Sequence, residues 1–259
     1  MHGTLRRRLV SVPALFLAAV LLTVTIPLWL VVAGLADAAR GRLRLPTVRL
    51  LAFGVCWAWL EVAGVVGAAV LWITGQARNH RANYALQRWW AARLMTALRV
   101  TTGITIQAAD ASALSPGPTI MMCRHASLAD SLVSAWVVTS GARMNPRYVL
   151  KRELLVDPCL DIVGNRLPNH FLDRGADDSS AELDALRTLA ADLRDDEVAV
   201  IFPEGTRAAG HKRERALLKI GERDPVRSAR LSELRHLLPP RPAGIGALLA
   251  GRPDADVVI

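Results

Sequence analysis

The chain has 259 residues, 52% of them hydrophobic but only 5% aromatic, with a formal net charge of +9 and a sequence pI near 10.6. That length holds one good-sized domain and an appendage, and the three scattered cysteines, Cys56, Cys123 and Cys159, offer neither metal-ligand spacing nor a disulfide framework. The charge map argues against nucleic-acid binding: residues 1–100 carry 12 arginines against Asp37 and Glu61, while the remainder carries 20 Lys and Arg against 21 Asp and Glu, so the basic excess travels with apolar spans, where it meets anionic head groups.

Residues 9–36 contain no charged side chain and residues 50–74 contain one, Glu61. Each stretch exceeds the roughly 20 apolar residues needed to cross a bilayer core of ~30 Å. Arg6, Arg7 and Arg8 before the first stretch imitate a signal peptide. The apolar region is about twice the usual length, however, and no small-residue cleavage pattern closes it before Ala36, which points to an uncleaved membrane helix. Pro27 is expected to kink or break it. An arginine-rich linker (Arg40, Arg42, Arg44, Arg49) leads to the second helix. Glu61 near its midpoint costs ~3 kcal/mol on insertion scales, and Gly54, Ala58, Gly64 and Ala68 form a small-residue face expected to pack Glu61 against the first helix.

Two full crossings would place eight arginines (Arg6, Arg7, Arg8, Arg78, Arg81, Arg88, Arg93, Arg99) on the side of the remaining chain and four in the linker opposite. The positive-inside rule then favours a cytoplasmic location for the remaining chain, against the four arginines of the linker, whereas a re-entrant hairpin would keep every arginine on the cytoplasmic side. Residues 79–98, with Trp89 and Trp90 among arginines, read as an amphipathic helix for a membrane interface or for docking on a core. Residues 1–100 thus form a membrane-associated helical region and residues 101–259 a second domain.

That domain reads as α/β: a mixed sheet with flanking helices, preceded by the N-terminal membrane helical hairpin. Strand candidates are 103–107, 119–123, 147–150, 170–172, 198–202 and 256–259. A helix over 181–194 opens on a capping box of Ser179 and Glu182. The chain stops inside an apparent strand, as expected of a C-terminal truncation.

His125 follows the apolar run 119–123, and Asp130 lies five residues on, inside the first turn of a helical pattern. A strand end fixes an imidazole, and a carboxylate folded back on one ring nitrogen sets the tautomer and frees the other for general-base work. Ser127 lacks a Gly-x-Ser-x-Gly elbow and is read as support for the turn. A metal set built from His125, Asp130, His170 and Asp173 lacks the short-range ligand pair such sites use, so no metal is expected. Downstream come Phe171-Leu172-Asp173-Arg174, where a planar guanidinium suits a phosphate monoester, and Phe202-Pro203-Glu204-Gly205-Thr206-Arg207, a strand entering a rigid turn.

These three motifs, in this order, resemble the glycerolipid acyltransferase family from about residue 119 onward. Leu237-Leu238-Pro239-Pro240-Arg241-Pro242 is similar to the family's looser fourth block, and the Lys212-Arg213-Glu214-Arg215 stretch resembles the branch with lysophosphatidylinositol and lysocardiolipin acyltransferases. Taken alone, that basic stretch reads as a solvated helix face. The resemblance implies His125 as general base and Asp130 as its orienting partner. It assigns Arg174, Glu204, Gly205, Thr206 and Arg207 to the acceptor's phosphate, with Ser127, Phe171, Asp173, Pro203 and Pro240 in support. Arg124 stands where many members have Asn. The implied reaction transfers a fatty acyl group from acyl-CoA or acyl carrier protein to lysophosphatidate, with no cofactor; the partners are the lysophospholipid, the thioester donor and the bilayer, and no nucleic acid. A silent lipid-binding scaffold and a thioester hydrolase are the rival expectations.

Overall fold

Aliphatic residues with little side-chain entropy to lose fill the first helices, and backbone hydrogen bonding within each helix is what an apolar surround requires. The computed structural model describes residues 2–107, 114, 116–173 and 179–259, apart from the side chains of His2 and Ser179. It divides into two units: Met1–Ala109 with Glu153–Leu167, and Asp110–Arg152 with Pro168–Ile259.

In the first unit α1 (His2–Ala39) runs on past both Pro13 and Pro27, so Pro27 does not end it. Asp37 ties its end to the start of α2 (Pro46–Ile73), accepting from the Thr47 backbone N–H at 2.8 Å and the Thr47 hydroxyl at 2.7 Å. Both helices are long and apolar enough to cross a membrane. Ala58 and Val62 of α2 pack with Ala19 and Leu15 of α1. The small residues further along face elsewhere. A Cβ on Gly64 would stand 2.6 Å from the Cys159 sulfur, and one on Gly67 2.8 Å from Leu86 Cδ1 of α3 (His80–Thr102). Glu61 is buried and faces Asp157 and Cys159, so the expectation that it packs on the first helix is corrected. Tyr84 of α3 is buried with Val65 and Ala68 of α2, which makes α3 a docked helix. Gly103, at φ +76°, caps α3 by donating to the Arg99 carbonyl, and residues 103–107 form no strand. The strand expected there is corrected: among the described residues no strand pairs with 103–107.

Residues 153–167 fold as short 3₁₀ and π turns within this same unit, with Cys159, Val163 and Leu167 in its core. Asp161 is fully buried among them and takes two guanidinium groups, Arg7 at 2.7 Å and Arg8 at 3.0 Å. Burial alone would push this carboxyl up; the two arginines outweigh it and hold the group below the usual carboxylate range.

The second unit is a five-stranded sheet in the order β3-β2-β4-β1-β5, formed by β1 (Thr119–Met122), β2 (Asn145–Lys151), β3 (His170–Leu172), β4 (Glu197–Ile201) and β5 (Asp256–Val258). The α/β class with flanking helices holds, and every described pairing is parallel, a simpler sheet than the mixed one expected. Parallel strands need crossovers and coverage on both faces, and β4 is accordingly buried along its whole length. Helix α4 (Ala129–Trp136) follows β1, and α5 (Ser179–Ala191) precedes β4. After β4 come α6 (Gly210–Gly221), α7 (Pro225–Ser232) and α8 (Pro242–Gly251). Leu186, Leu189 and Ala190 of α5 and Ala247 and Leu248 of α8 enclose one core with Ile120, Ala199 and Ile201 of the sheet. The two helices approach so closely that a Cβ on Gly251 would sit 2.2 Å from the Arg187 carbonyl oxygen. At the amino end of the sheet Arg147 is buried and binds Glu197 at 2.5 Å, Asp192 at 2.5 Å and the Leu189 carbonyl at 3.2 Å.

The Ser179 side chain of the expected capping box lies outside the described residues. Its partner Glu182 instead meets His170 Nε2 at 2.7 Å and accepts from the Asp173 backbone N–H at 3.3 Å.

Candidate active site

In an all-parallel sheet the loops leaving the strand ends gather on one edge, which is where such sheets bind ligands. His125 leaves β1, Phe202 to Arg207 leave the adjacent β4, and Asp173 leaves β3.

The turn after β1 is built around Asp130. Its Oδ2 accepts from the backbone N–H groups of Ala126 and Ser127, both at 2.6 Å, and lies 3.5 Å from His125 Nδ1. That separation is within ion-pair range, and among the described residues Nδ1 has no hydrogen-bond partner. The carboxylate therefore fixes the loop first and the ring second, leaving Nε2 as the nitrogen open to a substrate proton. Ser127 Oγ accepts from the Ala129 N–H at 2.9 Å, a turn-stabilising role. The Phe202 ring stands 4.8 Å from the imidazole, tilted by 48°. The nearby Cys123 thiol is pushed up to about 12 by burial and by the Asp130 charge, so it remains protonated and is a poor nucleophile.

Glu204 is buried, 6% exposed, and turned inward. Its Oε1 accepts from the His125 backbone N–H at 3.2 Å, and its Oε2 from the Leu238 N–H at 3.4 Å. Three further backbone bonds join the same segments: Ala208 N–H to the His125 carbonyl at 2.7 Å, Arg241 N–H to the Pro203 carbonyl at 2.9 Å, and Gly205 N–H to the Phe202 carbonyl at 2.9 Å. Gly205 has φ +68°, a conformation only glycine adopts without strain, and it turns the chain sharply after Glu204. Arg207 beyond it is exposed. Thr206 Oγ1 receives the Lys212 ammonium at 3.1 Å, so this lysine, expected on a solvated helix face, reaches back into the motif. Arg124 donates to the His236 carbonyl at 2.7 Å, a structural bond for the residue that replaces Asn.

The structure thus brings His125, Asp130, Ser127, Pro203, Glu204, Gly205 and Thr206 together, with Pro240 beside Arg241 on the same edge. Phe171 and Asp173 lie at the end of β3, three strand spacings from β1, or roughly 14 Å. Asp173 forms an ion pair with Arg152. Arg174 falls outside the described residues. Sequence reasoning did not single out Phe202 or the Leu238 N–H. Adjacent β1 and β4 foretell Phe202 once the sheet order is known, whereas a backbone donor leaves no mark in sequence.

An imidazole held at the strand edge, beside a glycine turn with an exposed arginine, can take a proton from an alcohol and hold an anion nearby. The family model described as Acyltransferase, which describes the glycerolipid acyltransferases, matches residues 104–241. No curated protein and no solved structure matches the chain.

Proposed function

Since the chain belongs to the acyltransferase family, we propose that it moves a fatty acyl group from an acyl thioester to the free hydroxyl of lysophosphatidate, making phosphatidate at a membrane. The observation that carries this reading is the His125–Asp130 pair set beside the Glu204–Arg207 turn at one strand edge. His125 Nε2 takes the hydroxyl proton as the alkoxide oxygen attacks the thioester carbonyl. The carbon–oxygen bond forms, the carbon–sulfur bond breaks, and the proton passes to the departing thiolate. The thioester is already activated, so the step needs no cofactor.

Arg207 is the phosphate-binding residue this reading favours, because its loop leaves the strand next to β1. A phosphate held there places the acceptor's hydroxyl at the base, and such positioning supplies much of a rate enhancement. Arg174 is assigned to the same phosphate by resemblance alone. Glu204 holds the His125 backbone and stays clear of the anion. The arginines in the first turns of α1 (Arg6, Arg7, Arg8) and those just before and along α3 support a catalytic unit on the cytoplasmic side.

The test is an acceptor panel with labelled acyl-CoA and the detergent-solubilised chain. Lysophosphatidate should be the best acceptor and monoacylglycerol a poor one, and His125→Ala should lower turnover by ~10²–10⁴-fold. Near-normal turnover by His125→Ala would sink the mechanism. Equal use of monoacylglycerol would remove the phosphate clamp and leave acyl transfer standing.

A further inference from the structure

Beyond residue 100 the charges are segregated along the chain. Residues 207–241 carry 10 Lys and Arg against four acidic residues, while the rest of residues 101–259 carries 10 against 17. Eight of the basic side chains in 207–241 are exposed, and Lys212 and Arg213 are half-buried. Among the described residues no carboxylate forms an ion pair with any of the ten at 4.0 Å or less. Basic groups elsewhere are used internally, as Arg147 is by Glu197 and Arg7 by Asp161. Unpaired like charges on one surface sum to a positive potential that an anionic partner relieves.

This segment is a built surface. Helices α6 and α7 form a fixed hairpin: the Ser228 hydroxyl donates to the Leu217 carbonyl at 3.0 Å, and the Arg213 guanidinium donates to the Ser232 and Leu234 carbonyls at 2.6 and 3.0 Å. Asp224 caps α7, accepting from the Arg227 backbone N–H at 2.9 Å. No residue of either helix is buried. Two aliphatic side chains stand out from the polar surface, Leu218 at 71% and Val226 at 72% exposure. Glu214 and Glu222, four residues either side of Leu218, dilute the charge on α6. Helix α7 contains no acidic residue, and Arg230, four residues after Val226, shares its face. The densest patch is therefore Val226 with Arg223, Arg227 and Arg230.

We propose that the α6–α7 hairpin is a peripheral docking surface for an anionic lipid bilayer, seated through α7 with Val226 among the head groups and the arginines on their acidic groups. A cluster of Lys and Arg on a helix, with aliphatic side chains between them, is the pattern that binds such an interface. A single exposed valine amid cations suits a bilayer, whose interior accepts apolar side chains singly, whereas a protein partner is met by a contiguous apolar patch. The bilayer is also the partner at hand, because α1 and α2 are long and apolar enough to cross it and link the hairpin to it through the chain. The contact does not depend on acyl transfer.

The experiment uses the full chain in lipid nanodiscs, which leave both bilayer faces open to solvent, made of phosphatidylcholine alone or of phosphatidylcholine and phosphatidylserine in equal parts. Val226→Cys is labelled with an uncharged, water-soluble maleimide, and peptide mapping separates it from Cys56, Cys123 and Cys159. Asp184→Cys on α5, an exposed site away from the hairpin, is the control. An apolar helix face sinks about 5–10 Å into the head-group boundary, so labelling at Val226→Cys should slow about fivefold or more in the anionic discs. Labelling at Asp184→Cys should not change. The protection should vanish at about 1 M salt, where the screening length falls to ~3 Å. It should vanish too when Arg223→Gln, Arg227→Gln and Arg230→Gln are added, since glutamine keeps helix propensity and removes charge. Equal labelling of Val226→Cys in the two discs, equal slowing at Asp184→Cys, or protection that survives the three substitutions overturns the proposal. Protection in detergent by a soluble acidic protein, with none from anionic discs, assigns the surface to a protein partner and overturns it as well.

Discussion

Glu204 holds more of the site together than its exposure suggests. Both carboxylate oxygens accept backbone N–H groups, one from the residue proposed as base and one from the proline block. Replacing either oxygen with an amide sets a donor against a donor. Glu204→Gln should therefore cost about 1.5–3 kcal/mol, the worth of a hydrogen bond to a charged group, and lower kcat by roughly 10–100-fold with KM for the phosphate acceptor little changed. Steady-state kinetics on both substrates reads this out. A raised acceptor KM at unchanged kcat would return Glu204 to the acceptor-binding role that family resemblance implies. The His125–Asp130 pair was legible because a strand, a histidine and a carboxylate in the next turn have a local geometry. The inward turn of Glu204 was not, since its partners are backbone groups 79 and 34 residues away.

At the scale of elements, close helix contact can be separated from helix propensity within α8. Gly246 has nothing within 4 Å of its ideal Cβ, while Gly251 meets the Arg187 carbonyl at 2.2 Å. Gly246→Ala should stabilise by up to about 1 kcal/mol. Gly251→Ala should destabilise by about 1–3 kcal/mol, because backbone must move. Thermal unfolding of the two variants checks the opposite signs. The Asp161 clamp gives a pH signature. Its carboxyl lies below its unfolded value near 3.9, so its contribution is present above that pH and fades as pH falls through the folded value. Asp161→Asn should be less stable by about 2–4 kcal/mol at neutral pH, and the two proteins should converge in acid. A constant gap down to about pH 2 would refute the clamp. Strands β1, β2, β3, β4 and β5 were readable as apolar runs. Residues 103–107 looked similar, but Gly103 spends its left-handed φ capping α3. The turns of residues 153–167 have no single period, and Asp161 pairs with arginines more than 150 residues earlier, so neither could be read from local pattern.

For the whole molecule, the two units are not two consecutive halves of the chain. Residues 153–167 belong with the N-terminal helices, and Cys159, Val163 and Leu167 share their core with Val65, Ala68 and Tyr84. Deleting residues 1–100 should strip membrane attachment and also bare that apolar segment, giving a protein that aggregates or gains sensitivity to protease within 153–167. Limited proteolysis of the deletion variant tests this, and a monodisperse, protease-resistant product would contradict it. The sheet order has a further consequence in time. β1 lies between β4 and β5, and its register pairs Thr119 with Val198 and Asp256. A ribosome adding about 5–20 residues each second needs roughly 4–16 seconds to reach the first of those partners. Throughout that interval the strand that leads to the proposed base has neither neighbour, while α1 and α2 have already emerged. The two long apolar helices are thus complete before the sheet can close, and the run Ile120-Met121-Met122 is the segment a chaperone would shield in the meantime.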